Sequence, residues 1–450
     1  MVRVDSVVEA GKALRRGEVS STELVSAALA AADAADAGLG VFLTRFPERA
    51  LAAARRADLE LASGVDRGPL HGIPLGVKDL ITVAEGPTTA QSLVLGDGWG
   101  LGVDAAVTTR LREAGGVIVG KTTTMEFGCG VPDPGKPFPV PRNPWDTGRW
   151  AGGSSSGTAS GIASGMFLAG LGTDTAGSIR MPAAFCGVTG LMPTYGLIPD
   201  DGVLPLARSL DRIGPLARTA RDCAELLAVL DGTRSCAPAG HLRGLRVGVV
   251  RDWPGGADPA LPAVFGAALS TVEELGARLV DVTLPYRAEL TDAVLLTVAA
   301  EGLAQYRAEL TARPDDFFVS TRGILEPGAV VSGADYVEAQ RLRQRARQAL
   351  AALFRTVDVV ASPVAVIGAP RLDEVADAAG HLDSGLVARL CTPYWNGVGN
   401  PVLALPMGRT AGGLPLSLQL AAEPHGEATL LRMGEVFQRH TAWHEERVCR

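Results

Sequence analysis

Hydrophobic and polar positions along this 450-residue chain switch between helical and strand periods, and each switch predicts an element. The first sixty or so residues carry the helical spacing. Ser20-Ser21-Thr22-Glu23 reads as a capping box opening an Ala-rich amphipathic run to about Ala37. Pro47 stands where a first-turn proline belongs, ahead of a second run to Leu61. This opening segment suits an arm or a docking surface as well as part of a core. From His71 the pattern becomes a short apolar run, 71–77, closed by the charged pair Lys78-Asp79, which predicts a buried strand. A helix is expected over 104–114, ended by Gly115-Gly116, and a strand over 117–121. Further strands are expected over 245–250 and 357–360, with helices near 259–275 and 334–354 between them. Residues 403–420 read as a strand pair turned at Gly412-Gly413, and 430–439 as a final helix. Helix and strand alternate with no linker-like break and no internal repeat, which predicts one large α/β domain.

Composition narrows this picture. Hydrophobic residues make up 47% and charged residues 20%, the balance of a globular chain with a large core. A net charge of −7 argues against a nucleic-acid surface, which needs clustered Lys and Arg. No apolar segment reaches membrane-spanning length; 162–171 is too short and too rich in glycine. Asp5 and Glu9 precede any long apolar run, so no secretory leader is expected and the cytoplasm is the expected compartment. Cys129, Cys186, Cys223, Cys236, Cys391 and Cys449 form no C-x-x-C pair, so neither a zinc site nor a disulfide framework is expected.

One stretch breaks the pattern. Residues 151–193 concentrate glycine, serine and alanine at a density that lets backbone approach backbone or ligand closely. Ser154 follows Gly152-Gly153 and Ser178 follows Ala176-Gly177, so each hydroxyl sits in a small-residue bend where N–H groups can converge on the same point. A flexible linker would share the composition but would not continue into 159–171 or end in Asp174, Ser178 and Arg180. The phosphate-cradling G-x-x-x-x-G-K-[ST] is absent. The serines need a base. Only His71, of six histidines, lies near these segments, no G-x-S-x-G surrounds either serine, and a structural role suits His71 better. Lys78 follows an apolar run, where desolvation would depress its pKa toward neutrality. A surface lysine at a strand end is the alternative, and Asp79 opposes neutralisation unless its carboxylate points elsewhere.

Taken together, Gly76-Val77-Lys78-Asp79, the GGSSSG run at 152–157 and the GTDTAGSIR run at 172–180 resemble the amidase signature family. Ser154 and Ser178 stand 24 positions apart, the separation that family shows. Supporting blocks are Gly120-Lys121-Thr122, Arg142 to Asp146, Ser209-Leu210-Asp211 with Gly214-Pro215, and Gly413 to Gln419, so the likeness runs from about residue 5 to 445. The resemblance implies a single domain over 1–450, built on a mixed, twisted central sheet covered by helices on both faces. Within it, 1–65 would be a helical N-terminal segment, 66–235 the catalytic core and 236–450 the remainder. It further implies that Ser178 is the nucleophile, that Ser154 relays protons through a cis peptide, and that Lys78 is the base. The N–H groups of Thr175, Ala176, Gly177 and Ser178 would form the oxyanion hole, with Asp174 and Arg180 holding the loop. No metal or organic cofactor is implied. This chain departs from the family pattern at Ala176, where glycine is usual and where a positive φ would be costly. Arg212 also stands where relatives often carry histidine, a change the sequence leaves without an account.

The reading favoured is a hydrolase of a small-molecule carboxylic amide, or a related hydrazide, urea or ester, through an acyl-enzyme. The alternatives are the glutaminase (A) subunit of a tRNA-dependent amidotransferase, which requires further protein partners, and an acyl-transferring biosynthetic enzyme. Against the glutaminase stand the wording of 122–127 and the lack of an obvious Arg/Asp pair for the charged ends of an amino acid. Phe127, Cys129, Ser155, Tyr394 and Trp395 are the residues expected to wall the substrate pocket. A homodimer is a possible assembly, and neither nucleic acid nor membrane is an expected partner.

Overall fold

Eleven strands share one sheet in the computed structural model, which describes residues 4–96, 98–233 and 240–448. In chain order the strands are β1 (Phe42–Arg45), β2 (Pro74–Lys78), β3 (Val117–Thr122), β4 (Arg142–Asn143), β5 (Asp146–Trp150), β6 (Ala169–Asp174), β7 (Thr189–Met192), β8 (Arg212–Ala217), β9 (Arg246–Val250), β10 (Arg278–Val282), β11 (Val359–Pro363), β12 (Val402–Arg409) and β13 (Pro415–Ala421). β4 and β5 form a separate ribbon, and the large sheet runs β1-β3-β2-β6-β8-β7-β12-β13-β11-β9-β10. It is mixed: β2 lies parallel to β3 and β6, and β9 parallel to β10 and β11, whereas β7, β8, β12 and β13 pair antiparallel. Strands buried on both faces, such as β2, β6 and β8, are continuous apolar or small-residue runs rather than alternations.

The helices that matter here are α1 (Val7–Arg15), α2 (Ser21–Leu39), α3 (Pro47–Ala62), α4 (Ala106–Glu113), α5 (Ser156–Ala163), α6 (Arg180–Cys186), α7 (Ala220–Asp231), α8 (Leu261–Glu274), α9 (Arg287–Ala312), α10 (Val319–Leu325), α11 (Gly333–Leu353), α12 (Ser384–Val387), α13 (Pro393–Val398) and α14 (Glu427–Arg439). The expected capping box heads α2: Ser20 Oγ accepts from the Glu23 N–H, and Glu23 Oε2 accepts from the Ser20 N–H at 2.8 Å. Pro47 opens α3 as expected. The first 65 residues are no detached arm, because β1 between α2 and α3 joins the edge of the large sheet against β3. The expected strand at 357 starts two residues later at Val359, and the expected pair over 403–420 is β12 and β13, antiparallel. Sequence periodicity missed α9, the longest helix among the described residues; its buried positions, Leu290, Val294 and Val298 early and Leu303, Tyr306 and Leu310 late, do not keep to one stripe.

The glycine- and serine-rich stretch is not a linker. It folds as α5, β6 and α6, all buried, in the middle of the molecule. Its glycines let elements touch: a Cβ on Gly170 would sit 2.5 Å from the Gly76 carbonyl oxygen, and one on Gly157 would sit 2.3 Å from that of Val41. Cys129, Cys186, Cys223 and Cys391 are free thiols. Cys236 and Cys449 lie outside the described residues. No helix among the described residues is long and apolar enough to cross a membrane.

Candidate active site

Parallel pairing of β2 with β6 sets the segments that lead to Lys78 and Ser178 side by side, with Val77 opposite Leu171. Lys78 ends β2 and is fully buried. Its Nζ donates to Ser154 Oγ at 2.7 Å and to Thr173 Oγ1 at 2.7 Å, with a longer contact to the Thr173 carbonyl at 3.5 Å. Burial pushes its pKa down to about 7, against the upward pull of Asp174 and Asp211. Asp79 does point elsewhere. Its carboxylate meets Lys121 Nζ at 2.8 Å and accepts from the Thr89 N–H at 2.9 Å and hydroxyl at 2.6 Å. Lys121 and Asp79 are both buried, so the pair cancels within itself and leaves Lys78 without a counter-ion in contact.

Ser154 follows a cis Gly153–Ser154 peptide and precedes α5. The bend needs its glycines: Gly152 has φ +82°, and a Cβ on Gly153 would lie 2.6 Å from the Trp150 ring. Ser178 lies in the turn between β6 and α6, half-buried, and its carbonyl accepts from the Ser155 N–H at 3.1 Å. That bond ties the two serine segments together.

The β6–α6 turn is held by a buried ion pair. Arg180 Nη2 and Nε reach the two oxygens of Asp174 at 3.0 Å each. The same guanidinium donates to the Thr392 carbonyl at 2.9 Å, Gln419 Oε1 at 3.0 Å and Asn396 Oδ1 at 2.5 Å. Burial would raise the Asp174 carboxyl, but Arg180 and the hydrogen bonds it accepts hold it well below the usual carboxylate range. Asp174 also accepts from the Gly177 N–H at 2.8 Å and the Ile179 N–H at 3.1 Å. The positive φ falls on Gly177, at +136°, and not on Ala176, so alanine there carries no conformational cost. A Cβ on Gly177 would sit 2.2 Å from Thr392 Oγ1, whose hydroxyl donates to the Ala176 carbonyl at 2.7 Å.

A cavity of about 210 Å³ reaches this centre through Thr173 and through Gly128, where a Cβ would lie 3.6 Å from Ser154 Oγ. Its wall comes from the segment between β7 and β8: Tyr195, Ile198, Val203, Leu204, Arg208 and Asp211 among others. Sequence reasoning gave no role to Thr173, although it lies within the 172–180 run, and missed residues 195–208 and Thr392, which reach the site across long sequence separations with no local motif. None of the five expected pocket residues lines the cavity. Ser155 is fully buried, its hydroxyl bonded to the Thr173 carbonyl and N–H at 3.2 Å. Tyr394 and Trp395 pack into a separate core around Met192, Leu290 and Val402, with Tyr394 Oη donating to the Pro285 carbonyl at 3.2 Å. Phe127 and Cys129 flank Gly128 but face inward, where the Phe127 ring stacks on Tyr306 at 4.1 Å. Arg208 and Asp200, both largely exposed, lie 3.6 Å apart on the cavity wall. His71 is structural, accepting from the Arg67 N–H at 3.1 Å and facing Glu60.

Comparison with known proteins shows the family. The family model described as Amidase matches residues 23–431. The chain is 41% identical over 471 residues to the A subunit of the glutamyl-tRNA(Gln) amidotransferase of Anaeromyxobacter dehalogenans (strain 2CP-C), covering 96% of this chain and 95% of that one. A solved structure described as an amidase superposes with a TM-score of 0.88 at 32% identity, covering 97% and 99% of the two chains. Another, from a vestigial protein complex related to an s-triazine catabolic enzyme, superposes with a TM-score of 0.90 at 32% identity, covering 99% and 100%. With the matched model spanning most of its length and the same fold in its solved relatives, the chain belongs to the amidase family.

Proposed function

We propose that this enzyme cleaves a carboxylic amide through an acyl-enzyme on Ser178, and that the amide is the side chain of glutamine, as for the glutaminase of an amidotransferase. The observation that supports the chemistry is Lys78, fully buried, near neutrality and hydrogen-bonded to Ser154. In this reading Ser178 Oγ attacks the carbonyl carbon while its proton passes through Ser154 to Lys78. The C–N bond then breaks, the same proton returns to the departing nitrogen, and water hydrolyses the acyl ester with Lys78 again as base. The N–H groups of Thr175, Ala176 and Ser178 serve the oxyanion, each donor worth about 3–4 kcal/mol in the transition state. The Gly177 N–H is engaged by Asp174 and drops out of the predicted set.

The likeness to a glutamyl-tRNA(Gln) amidotransferase component along almost the whole chain favours glutamine and protein partners. The likeness to a structure named simply as an amidase favours a free-standing hydrolase as the second reading. Ammonia release from glutamine and from a panel of aliphatic and aryl amides separates them. Release from glutamine that increases with co-purified partners and vanishes in Ser178→Ala supports the first reading. Turnover of the panel with glutamine inert supports the second. Turnover undiminished in Ser178→Ala sinks both.

A further inference from the structure

Arg212 is the residue the amide chemistry leaves unexplained, and its guanidinium is engaged wholly by backbone. It is buried on β8, and its Nη groups donate to the carbonyls of Asn396 at 2.9 Å, Asn400 at 3.0 Å, Trp395 at 3.4 Å and Pro193 at 3.5 Å. Two of these, Trp395 and Asn396, belong to the last turn of α13. The last four carbonyls of a helix have no donor within it. In α13 arginines reach all four: Arg212 takes Trp395 and Asn396, Arg343 Nε takes Gly397 at 3.1 Å, and Arg347 Nε takes Val398 at 3.0 Å. Arg343 and Arg347 come from α11. Three guanidinium groups therefore converge on one end of a six-residue helix, although Arg343 and Arg347 both repel Arg212. The negative end of the helix dipole and the open carbonyls are what hold them there.

The other end of α13 meets the β6–α6 turn. Thr392, which precedes the helix, donates its hydroxyl to the Ala176 carbonyl at 2.7 Å, and Asn396 Nδ2 donates to Asp174 Oδ1 at 2.8 Å. Asn396 thus joins the two ends directly, since its carbonyl accepts from Arg212 while its side chain holds Asp174. Tyr394 and Trp395 fix the flank of the helix in a core. We propose that Arg212 is a positioning residue for the β6–α6 turn, holding α13 by its C-terminal carbonyls so that α13 sets where the N–H groups of Thr175, Ala176 and Ser178 point. An imidazole has at most two N–H groups and cannot serve four carbonyls, so the arginine at this position ties β8 to α13 more firmly than histidine would. This inference rests on the amidase reading and adds to it a residue that touches neither substrate nor nucleophile.

The test is the kinetics of modification by phenylmethanesulfonyl fluoride, followed by mass spectrometry. The reaction forms an Oγ–S bond to Ser178, expels fluoride and gathers negative charge on a sulfonyl oxygen where an amide oxygen would sit. Arg212→Met keeps the bulk without the donors. It is expected to lower the limiting rate at least about tenfold and to leave the half-saturating concentration within about threefold, because the N–H groups of the turn shift while the cavity keeps its shape. Arg212→Lys, which keeps the charge and N–H donors, should recover most of that loss. Thr392→Val should also slow the reaction, and its combination with Arg212→Met should lose less than the product of the two, since both act through α13. A wild-type limiting rate in folded Arg212→Met, a change confined to half-saturation, or losses that multiply in full overturns the role. If Arg212→Met does not fold, the exposed Arg347→Met decides: a limiting rate lowered about threefold at unchanged half-saturation supports the role, and a wild-type rate overturns it. Wild type that is not modified, or modification that persists in Ser178→Ala, sinks the amidase chemistry and the positioning role with it.

Discussion

A lysine beside an aspartate in the chain would ordinarily stay charged, and Lys121 prevents this by holding the Asp79 carboxylate at 2.8 Å. Lys78 is then governed by desolvation, with only the hydroxyls of Ser154 and Thr173 in close contact. In the proposed mechanism Lys78 acts as a neutral base, so kcat/KM should rise with pH through a midpoint of about 7 and level off above it. Lys121→Met frees the Asp79 charge to act on Lys78, so this midpoint should move to higher pH, and adding Asp79→Asn should return it. Thr173→Val removes an acceptor that favours the ammonium, so its midpoint should move lower. A pH–rate series on the three variants checks the signs, and a midpoint unmoved in all of them means that Lys78 is not the titrating group.

At the scale of elements, the turn between β6 and α6 is shaped less by its own glycines than by what α6 and α13 bring to it. Arg180, the first residue of α6, binds Asp174, the last of β6, and reaches Thr392 and Asn396 around α13. Breaking a buried pair by removing one charge leaves the other uncompensated, at a typical cost of about 3–5 kcal/mol. Asp174→Ala should therefore lose stability in that range in urea unfolding, whereas Ser178→Ala should change it by less than about 1 kcal/mol. Equal stabilities would show that the turn does not depend on the pair.

Across the whole molecule, the site is roofed by layers distant in sequence, and Glu126 joins two of them. One oxygen accepts from the Ser92 hydroxyl at 2.7 Å and the other from the Phe318 N–H at 2.6 Å, just before α10. Burial raises its pKa to about 7, outweighing those hydrogen bonds. The folded value lies above the unfolded one, so the fold binds the extra proton. Its contribution is fully present below the ordinary carboxylate range and is lost as pH rises from there to about 7. Glu126→Gln should thus gain stability relative to wild type as pH rises across that window, with the difference flat on either side. Melting temperatures of both proteins at matched pH values check this, and a constant difference throughout would assign the loss to other groups.

The segments that make up the candidate site stand out in the sequence because their local composition is unusual. Lys78 after an apolar run, serines in small-residue bends and an Asp–Ser–Arg turn have few other uses, and the tertiary structure brings Lys78 and Ser154 into contact. The apolar runs that mark β2, β3 and β9 and the helical spacing of α14 are likewise local, which is why these elements lie close to where the sequence pattern puts them. What a substrate would meet is a different matter. Aromatic side chains at 127, 394 and 395 look like pocket walls in one dimension, yet packing turns all three into cores. Much of the wall belongs to polar and apolar residues between β7 and β8, from Tyr195 to Arg208, that carry no motif. Whether Asp79 charges Lys78 and what surrounds Arg212 are questions of distance between segments far apart in the chain. Local propensity carries no information on such distances, so only the folded arrangement decided them.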